Sequence, residues 1–193
     1  MPEPEGPPEP WQSFFDDLDR LLPEPVALHC FGGFVLIHAY GVARTTNDID
    51  FISLVPSHLR QTLSELAGER SSLHRRHNVY LDAVTVATPP DQYESRLWPL
   101  FPGIWKNVGL YALEAHDLAL TKIERNFERD RDDVQRLAKA GFLDPETLRS
   151  RYLDELRPYL TRETWHDQTL RLWVESCWPV SQDSPDATPT EGL

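Results

Sequence analysis

The 193-residue sequence has little cysteine, little lysine and no long apolar run. Its two cysteines, Cys30 and Cys177, are too few for a disulfide framework or a cysteine metal site, so a reducing, cytoplasmic compartment is expected. No apolar stretch approaches the length of a membrane span, and no basic start precedes an apolar segment. The sequence therefore predicts neither membrane insertion nor a secretory signal.

Several common catalytic motifs are also missing. The seven histidines include no His-Glu-x-x-His pair, which disfavours a zinc peptidase site. Neither a Walker phosphate loop nor a Gly-x-Ser-x-Gly elbow occurs, which disfavours P-loop NTPases and serine hydrolases of the α/β type. Any catalytic chemistry must come from other residue patterns.

Acidic residues outnumber basic ones by 31 to 19, which gives a net charge of −12. Half of that excess lies in residues 1–10 and 179–193, two proline-rich tails without a basic residue that we predict to be disordered. An acidic chain disfavours extensive non-specific binding to nucleic acid. Because the body is less acidic than the whole chain, a triphosphate substrate and a local RNA contact stay compatible with it.

The apolar spacing predicts a mixed α/β domain over residues 11–113 and a helical region over 114–178. The N-terminal part reads as strands at 26–31, 48–55, 79–87 and 108–113 and helices at 11–22, 34–40 and 57–67. Helical segments follow at 114–127, 130–140, 145–157 and 162–177. Residues 91–106 are predicted to be irregular, and Arg75-Arg76 to lie in a turn. The expected fold class is α/β (α+β), a small mixed sheet with flanking helices.

Asp48-Ile49-Asp50 is the sharpest local feature of the sequence. On a strand, residues two apart point to the same face, so both carboxylates would lie side by side while Ile49 faces the core. Their mutual repulsion is costly unless a cation offsets it, and carboxylate oxygens suit Mg²⁺. The alternative is a solvated strand end without function.

Two further features strengthen the functional interpretation. Gly32-Gly33 lies between a predicted strand and a predicted helix, where glycine lets backbone N–H groups approach a phosphate, although such a pair can also be a simple turn. Asp82 lies in the apolar run Val79–Ala87 and joins the other carboxylates if the two strands are neighbours. Its alternative is an exposed aspartate on an edge strand. Three clustered carboxylates could hold divalent ions and deprotonate a hydroxyl.

Together these residues resemble the signature of the nucleotidyltransferase superfamily, which has the polymerase-beta-like fold. Phe31-Gly32-Gly33 matches its hydrophobic-Gly-Gly element, Asp48-Ile49-Asp50-Phe51 its paired carboxylates, and Asp82 its third carboxylate. The run Arg44–Asp50 is similar to that of AbiEii-type toxin nucleotidyltransferases and related bacterial domains. The spacer of residues 34–47 is slightly longer than the general pattern.

A second block, His116–Val134, supports the resemblance. Asp117 and Lys122 match an Asp-x(4)-Lys element, and the run Arg129–Asp133 matches an Arg-Asp-x-x-Asp element on the next helix. Lys122 is one of only three lysines in the chain, and a compact ammonium is a good phosphate partner. The alternative for Lys122 is an ordinary surface lysine, and Arg44 could likewise be a structural loop arginine.

The resemblance implies transfer of a nucleotidyl group from an NTP to an acceptor, with Mg²⁺ or Mn²⁺ as cofactor. Asp48, Asp50 and Asp82 would be the catalytic and metal-binding residues. Five residues would bind the nucleotide: Gly32, Gly33, Arg44, Thr46 and Lys122. The acceptor could be tRNA, a protein or a small molecule, and a toxin of this type would pair with an antitoxin. The alternative is an inactive member of the fold that acts as a binding or regulatory module.

Overall fold

A five-stranded mixed sheet forms the centre of the molecule, as the computed structural model of residues 6–85 and 87–179 shows. The strands are β1 (Val26–Phe31), β2 (Asp48–Val55), β3 (Tyr80–Ala83), β4 (Trp98–Leu100) and β5 (Val108–Ala112). Their spatial order is β3-β2-β1-β5-β4. The pairs β2/β3 and β1/β5 are parallel, whereas β1/β2 and β4/β5 are antiparallel.

Helices flank this sheet and follow it in sequence. Within the described ranges they are α1 (Trp11–Leu21), α2 (Gly32–Tyr40), α3 (Arg60–Ala67), α4 (Ser72–His77), α5 (Ala115–Leu120), α6 (Glu128–Lys139), α7 (Pro145–Arg151) and α8 (Glu163–Cys177). This architecture confirms the predicted α/β class with a helical C-terminal region. In the part of the chain that the structure covers, no helix combines the length and apolarity needed to cross a bilayer.

The sheet separates an apolar face from a polar face at β2. Ile49 and Phe51 are buried on one side, while the alternating Asp48 and Asp50 lie on the other side and are only partly buried. Helix α1 contributes a set of aromatic side chains to the core, and the Trp11 ring lies 5.0 Å from that of Phe34 in α2. The period of two in β2 therefore directs the carboxylates away from the core.

Helix α2 follows β1 without a loop, because Phe31 ends the strand and Gly32 begins the helix. Gly41 ends the helix in the left-handed conformation, with φ of 64°. Its N–H donates to the carbonyl of Ile37 at 3.1 Å, which satisfies one of the last helical carbonyls. Because the end of β1 pairs with the start of β2, with Phe31 opposite Asp50, the Gly32-Gly33 backbone lies at the same end of the sheet as the start of β2.

Several predicted boundaries were wrong. Strand β3 covers only Tyr80–Ala83, so it is shorter than the predicted 79–87, of which residue 86 lies outside the described residues. The region predicted as irregular contains β4, and the predicted turn at Arg75-Arg76 is helix α4. Helix α5 ends at Leu120 and turns follow it, whereas one helix was predicted to residue 127.

The predicted tails fall mostly on residues 1–5 and 180–193, which lie outside the described part of the chain. Residues 6–10 lead into α1, where Pro7 is buried and Glu9 accepts a hydrogen bond of 2.7 Å from the Ser13 hydroxyl. Disorder of the tails stays a prediction.

Candidate active site

Three carboxylates lie on one face of the sheet where β2 and β3 run side by side. Asp50 is directly opposite Asp82 in the parallel register, and Asp48 is opposite Tyr80. Residues opposite each other on neighbouring strands point to the same face, and so do residues two apart on one strand. The register therefore brings together the three aspartates that the sequence predicted.

The three carboxylates repel one another when they are ionised. Burial, followed by repulsion from Asp48 and Asp82, raises the pKa of Asp50 to about 6. The pKa of Asp82 is also raised, first by burial and then by Asp48 and Glu69. Such shifts mean that a nearby cation would bind favourably, because it would relieve the repulsion among the ionised groups.

The position of Asp50 requires a residue without a Cβ atom at Gly32. Its φ of 71° is a conformation that favours glycine, and a Cβ atom built on it would lie 1.9 Å from Oδ2 of Asp50. No side chain caps the first turn of α2, which begins at this residue. The backbone N–H groups at the start of α2 therefore lie next to the carboxylates, where the positive end of the helix favours an anionic ligand.

The loop before β2 completes this side of the site. A Cβ atom on Gly33 would come within 3.0 Å of the Thr46 side chain and 3.3 Å of Nε of Arg44, so the glycine leaves room for both. The Thr46 hydroxyl donates a hydrogen bond to Oδ1 of Asp48. Three of the predicted nucleotide-binding residues thus lie beside the carboxylates: Gly33, Arg44 and Thr46. In this structure the Thr46 hydroxyl contacts Asp48.

Basic side chains from two parts of the chain form a row beside Asp50, held by acidic residues of α6. Lys122 is 4% exposed, and its Nζ lies 3.0 Å from Asp133 and 3.6 Å from Asp130. Arg44 also donates to Asp133. Arg125 donates two hydrogen bonds, of 2.8 and 2.6 Å, to Asp130. We call Arg44, Lys122 and Arg125 the cation row.

Two members of the cation row act on Asp50 electrostatically. Lys122 and Arg125 both oppose the increase in the pKa of Asp50, and Asp50 in turn contributes to the raised pKa of Arg125, whose first cause is the hydrogen bond to Asp130. Lys122 was predicted to be a phosphate ligand. In the structure its ammonium pairs with Asp130 and Asp133. The prediction of phosphate contact stays a prediction.

Sequence reasoning missed Arg125 and understated Asp130 and Asp133. The Arg-Asp-x-x-Asp match was a signal for the two aspartates, but nothing in the sequence distinguished Arg125 from the other arginines. Asp117, which the same resemblance highlighted, lies in a separate network. It is fully buried and accepts hydrogen bonds from Arg96 at 2.8 and 3.1 Å and from Arg151 at 3.0 Å.

The carboxylates fit a metal ion only in part. Across residues 6–85 and 87–179, no three His, Cys, Asp or Glu side chains form a group that could hold a metal ion by themselves. Mg²⁺, however, typically binds through one or two carboxylates together with substrate phosphates. The paired carboxylates Asp48 and Asp50 match that donor set, and a phosphate-bearing substrate would have to complete it.

Comparison with known proteins identifies the family of the chain. Neither the search of curated proteins nor that of solved structures found a match. A family model described as "nucleotidyltransferase of unknown function" matches residues 14–177, which include both the carboxylates and the cation row. The chain therefore belongs to this family of nucleotidyltransferases of unknown function, DUF6036.

Proposed function

We propose that the protein is a metal-dependent nucleotidyltransferase that transfers a nucleotidyl group from an NTP to an acceptor hydroxyl. The observation that carries the proposal is the register of β2 and β3, which places Asp48, Asp50 and Asp82 on one face beside the start of α2. Family membership supports the same reaction class.

The three aspartates would have different roles. Asp48 and Asp50 would hold Mg²⁺ or Mn²⁺, which when bound supplies Lewis-acid stabilisation of the phosphate oxygens. Asp82 is the exposed member of the set, and its raised pKa makes it a better base than an ordinary aspartate. It would accept the proton of the acceptor hydroxyl as the new oxygen–phosphorus bond forms and pyrophosphate leaves.

The surrounding residues would orient the triphosphate. The N–H groups of Gly32 and Gly33 would donate to phosphate oxygens at the start of α2. Arg44 and Lys122 would offset the triphosphate charge, and their shared partner Asp133 would keep them in position. In this proposal the ion pairs of α6 preorganise the cation row before the substrate binds.

Calorimetric titration with each of the four NTPs in the presence of Mg²⁺ tests the proposal. We expect binding that the double variant Asp48→Ala/Asp50→Ala abolishes. The matched control is Asp132→Ala/Asp154→Ala, which removes two exposed carboxylates outside the site. Unchanged binding in the first double variant would refute the proposed site.

Transfer itself is tested by incubating the protein with each labelled NTP, Mg²⁺ and total RNA or protein extract. Label that becomes covalently attached to RNA or protein would identify the acceptor class. Metal-dependent binding without transfer to RNA, protein or small molecules would instead support a binding or regulatory module of the same fold.

We further propose a toxin-type role in the cytoplasm, with an antitoxin as partner. The support is the likeness of the run Arg44–Asp50 to AbiEii-type toxins. Expression of the protein alone should then arrest growth, and Asp50→Asn should relieve the arrest. Harmless expression of a protein that retains transfer activity would contradict toxicity while leaving the enzymatic proposal intact.

A further inference from the structure

Phe127 is the most exposed large apolar side chain in the part of the chain that the structure describes, at 64%. It lies immediately before α6, at the N-cap position. An isolated exposed apolar residue is ordinary in a globular protein. Phe127 differs from that case in how firmly its backbone is held and in what lies beside its ring.

The turn that carries Phe127 is fixed by several hydrogen bonds. Asn126 adopts a left-handed conformation with φ of 47°, and its Oδ1 accepts a hydrogen bond of 3.0 Å from Nε1 of the buried Trp173. The N–H of Phe127 donates to Oδ2 of Asp130 at 3.1 Å. Asparagine adopts the left-handed region more readily than other non-glycine residues, and these hydrogen bonds hold the turn in place.

The ring itself is oriented by the cation row. Cζ of Arg125 lies 5.6 Å from the centre of the Phe127 ring, which is within cation–π distance. The same guanidinium is fixed by its two hydrogen bonds to Asp130. The ring is therefore preorganised while most of its surface stays in contact with solvent.

Phe127 is connected to the candidate active site through a chain of ion pairs. Asp130 joins Arg125 to Lys122, whose Nζ is 3.6 Å from it. Asp133 in turn joins Lys122 to Arg44, whose Nε lies beside Gly33 at the start of α2. A triphosphate bound along the cation row would thus have an exposed aromatic ring at one end of its binding site.

We propose that Phe127 stacks on the nucleobase of the NTP and that Arg125 orients the ring for this contact. The inference rests on the proposed nucleotidyltransferase function. Every nucleobase has a π face, so stacking on an aromatic side chain discriminates weakly among bases. Purines offer the larger surface, and we expect them to depend on Phe127 more than pyrimidines do.

The test separates the base from the phosphates by comparing ATP, CTP and inorganic tripolyphosphate, each titrated calorimetrically with Mg²⁺. Phe127→Ala should weaken ATP binding by about tenfold, weaken CTP binding less, and leave tripolyphosphate binding unchanged. Phe127→Trp should retain ATP binding, and Phe127→Leu should weaken it about as much as Phe127→Ala does, because a leucine is apolar but cannot stack. Phe142→Ala is the matched control, since it removes another exposed phenyl ring.

Each remaining outcome counts against the inference in a different way. Equal weakening of ATP and tripolyphosphate in Phe127→Ala would show that the ring supports the cation row and does not contact the base. Unchanged ATP binding in a folded Phe127→Ala would overturn the stacking proposal alone. Failure of the wild-type protein to bind any NTP would overturn the proposed function, and the stacking proposal with it.

Discussion

Two groups of acidic side chains in this molecule have opposite electrostatic environments. The site carboxylates, Asp48, Asp50 and Asp82, repel one another, and the pKa of Asp50 is raised to about 6. The second group comprises Glu114, Asp117 and Glu155, which we call the clasp carboxylates because arginines bind them. Although burial alone would raise it, His116 and Arg151 lower the pKa of Glu114 to about 2.

The arginines explain the difference between the two groups. Arg96 joins Asp117 to Glu155, and Arg151 joins Asp117 to Glu114, so every clasp carboxylate has a basic partner. Among the site carboxylates, Asp50 receives long-range compensation from Lys122 and Arg125, which are themselves bound by acidic residues of α6. Paired carboxylates hold elements of the fold together, whereas unpaired ones are available for a cation from solution.

The largest expected effect comes from removing a site carboxylate. Asp50→Asn should lower nucleotidyl transfer by about a thousandfold, because a neutral amide is a poor ligand for a catalytic metal ion. The same substitution should raise the stability of the metal-free protein, since it removes a buried charge and its repulsion. Labelled-NTP transfer assays and thermal unfolding measure the two effects.

The pH dependence sharpens this prediction. The folded-state pKa of Asp50, about 6, lies above the ordinary value near 4, so the folded protein binds the proton more tightly than the unfolded chain. Ionisation of Asp50 therefore reduces stability as the pH rises between about 4 and 6. The stabilisation by Asp50→Asn should grow over this interval and level off above it. A stabilisation independent of pH would contradict the repulsion argument.

The next largest effect is expected from removing the charge of Asp117, the clasp carboxylate that pairs with both arginines. Asp117→Asn should reduce the free energy of unfolding by about 3 kcal/mol, because it removes a fully buried carboxylate and leaves the partly buried Arg96 and Arg151 without a full counter-charge. Denaturant titration measures the loss. The control Asp132→Asn lies on the exposed side of α6 and should change stability by less than about 0.5 kcal/mol. A loss as small as that of the control would mean that the clasp is not structurally important.

The two groups also differ in how far the sequence could predict them. Asp48 and Asp50 were predictable because residues two apart on a strand point to the same face. Asp82 was predictable because a carboxylate in an apolar strand is unfavourable unless it has a partner or a function. The sequence could not predict that β2 pairs with β3, since strand pairing and register depend on long-range packing. The clasp could not be predicted, because Arg96 and Asp117 are brought together by tertiary structure alone.

The same limit explains the missed elements. Strand β4 has three residues and contains Pro99, which is typical of an edge strand and is a weak local signal. Arg125 pairs with Asp130 across the turn at Asn126, which has a positive φ, and no sequence pattern required that conformation. Local periodicity thus predicted the carboxylates, whereas the surroundings that distinguish site from clasp emerged only from the fold.

A smaller effect is expected from removing the charge of Glu114, another clasp carboxylate. The folded-state pKa of Glu114, about 2, lies below its ordinary value, so its ionised form stabilises the protein above pH 4.5 and this contribution disappears as the pH falls towards 2. Glu114→Gln should lower the free energy of unfolding at pH 7 by on the order of 2 kcal/mol, a value reduced for partial exposure. The variant and wild type should converge near pH 2.

Denaturant unfolding at several pH values between 7 and 2 measures this convergence. The control Glu146→Gln removes an exposed carboxylate that pairs with Arg149 at the surface, and its effect should be small at every pH. A constant difference between Glu114→Gln and wild type down to pH 2 would show that the ionised form of Glu114 is not the source of the stabilisation.

The smallest expected effect tests the link between the cation row and the site. Lys122→Met should move the pKa of Asp50 further above 6, because the ammonium that partly offsets the negative charges is removed. Asp130 and Asp133 each keep an arginine partner in this variant, so the network should survive. Carboxyl ¹³C NMR titration of Asp50 measures the shift, with Lys139→Met on the exposed surface of α6 as control. An unchanged pKa would mean that the Lys122 ammonium does not act on Asp50, and the raised pKa of Asp50 would then follow from burial and from repulsion by Asp48 and Asp82.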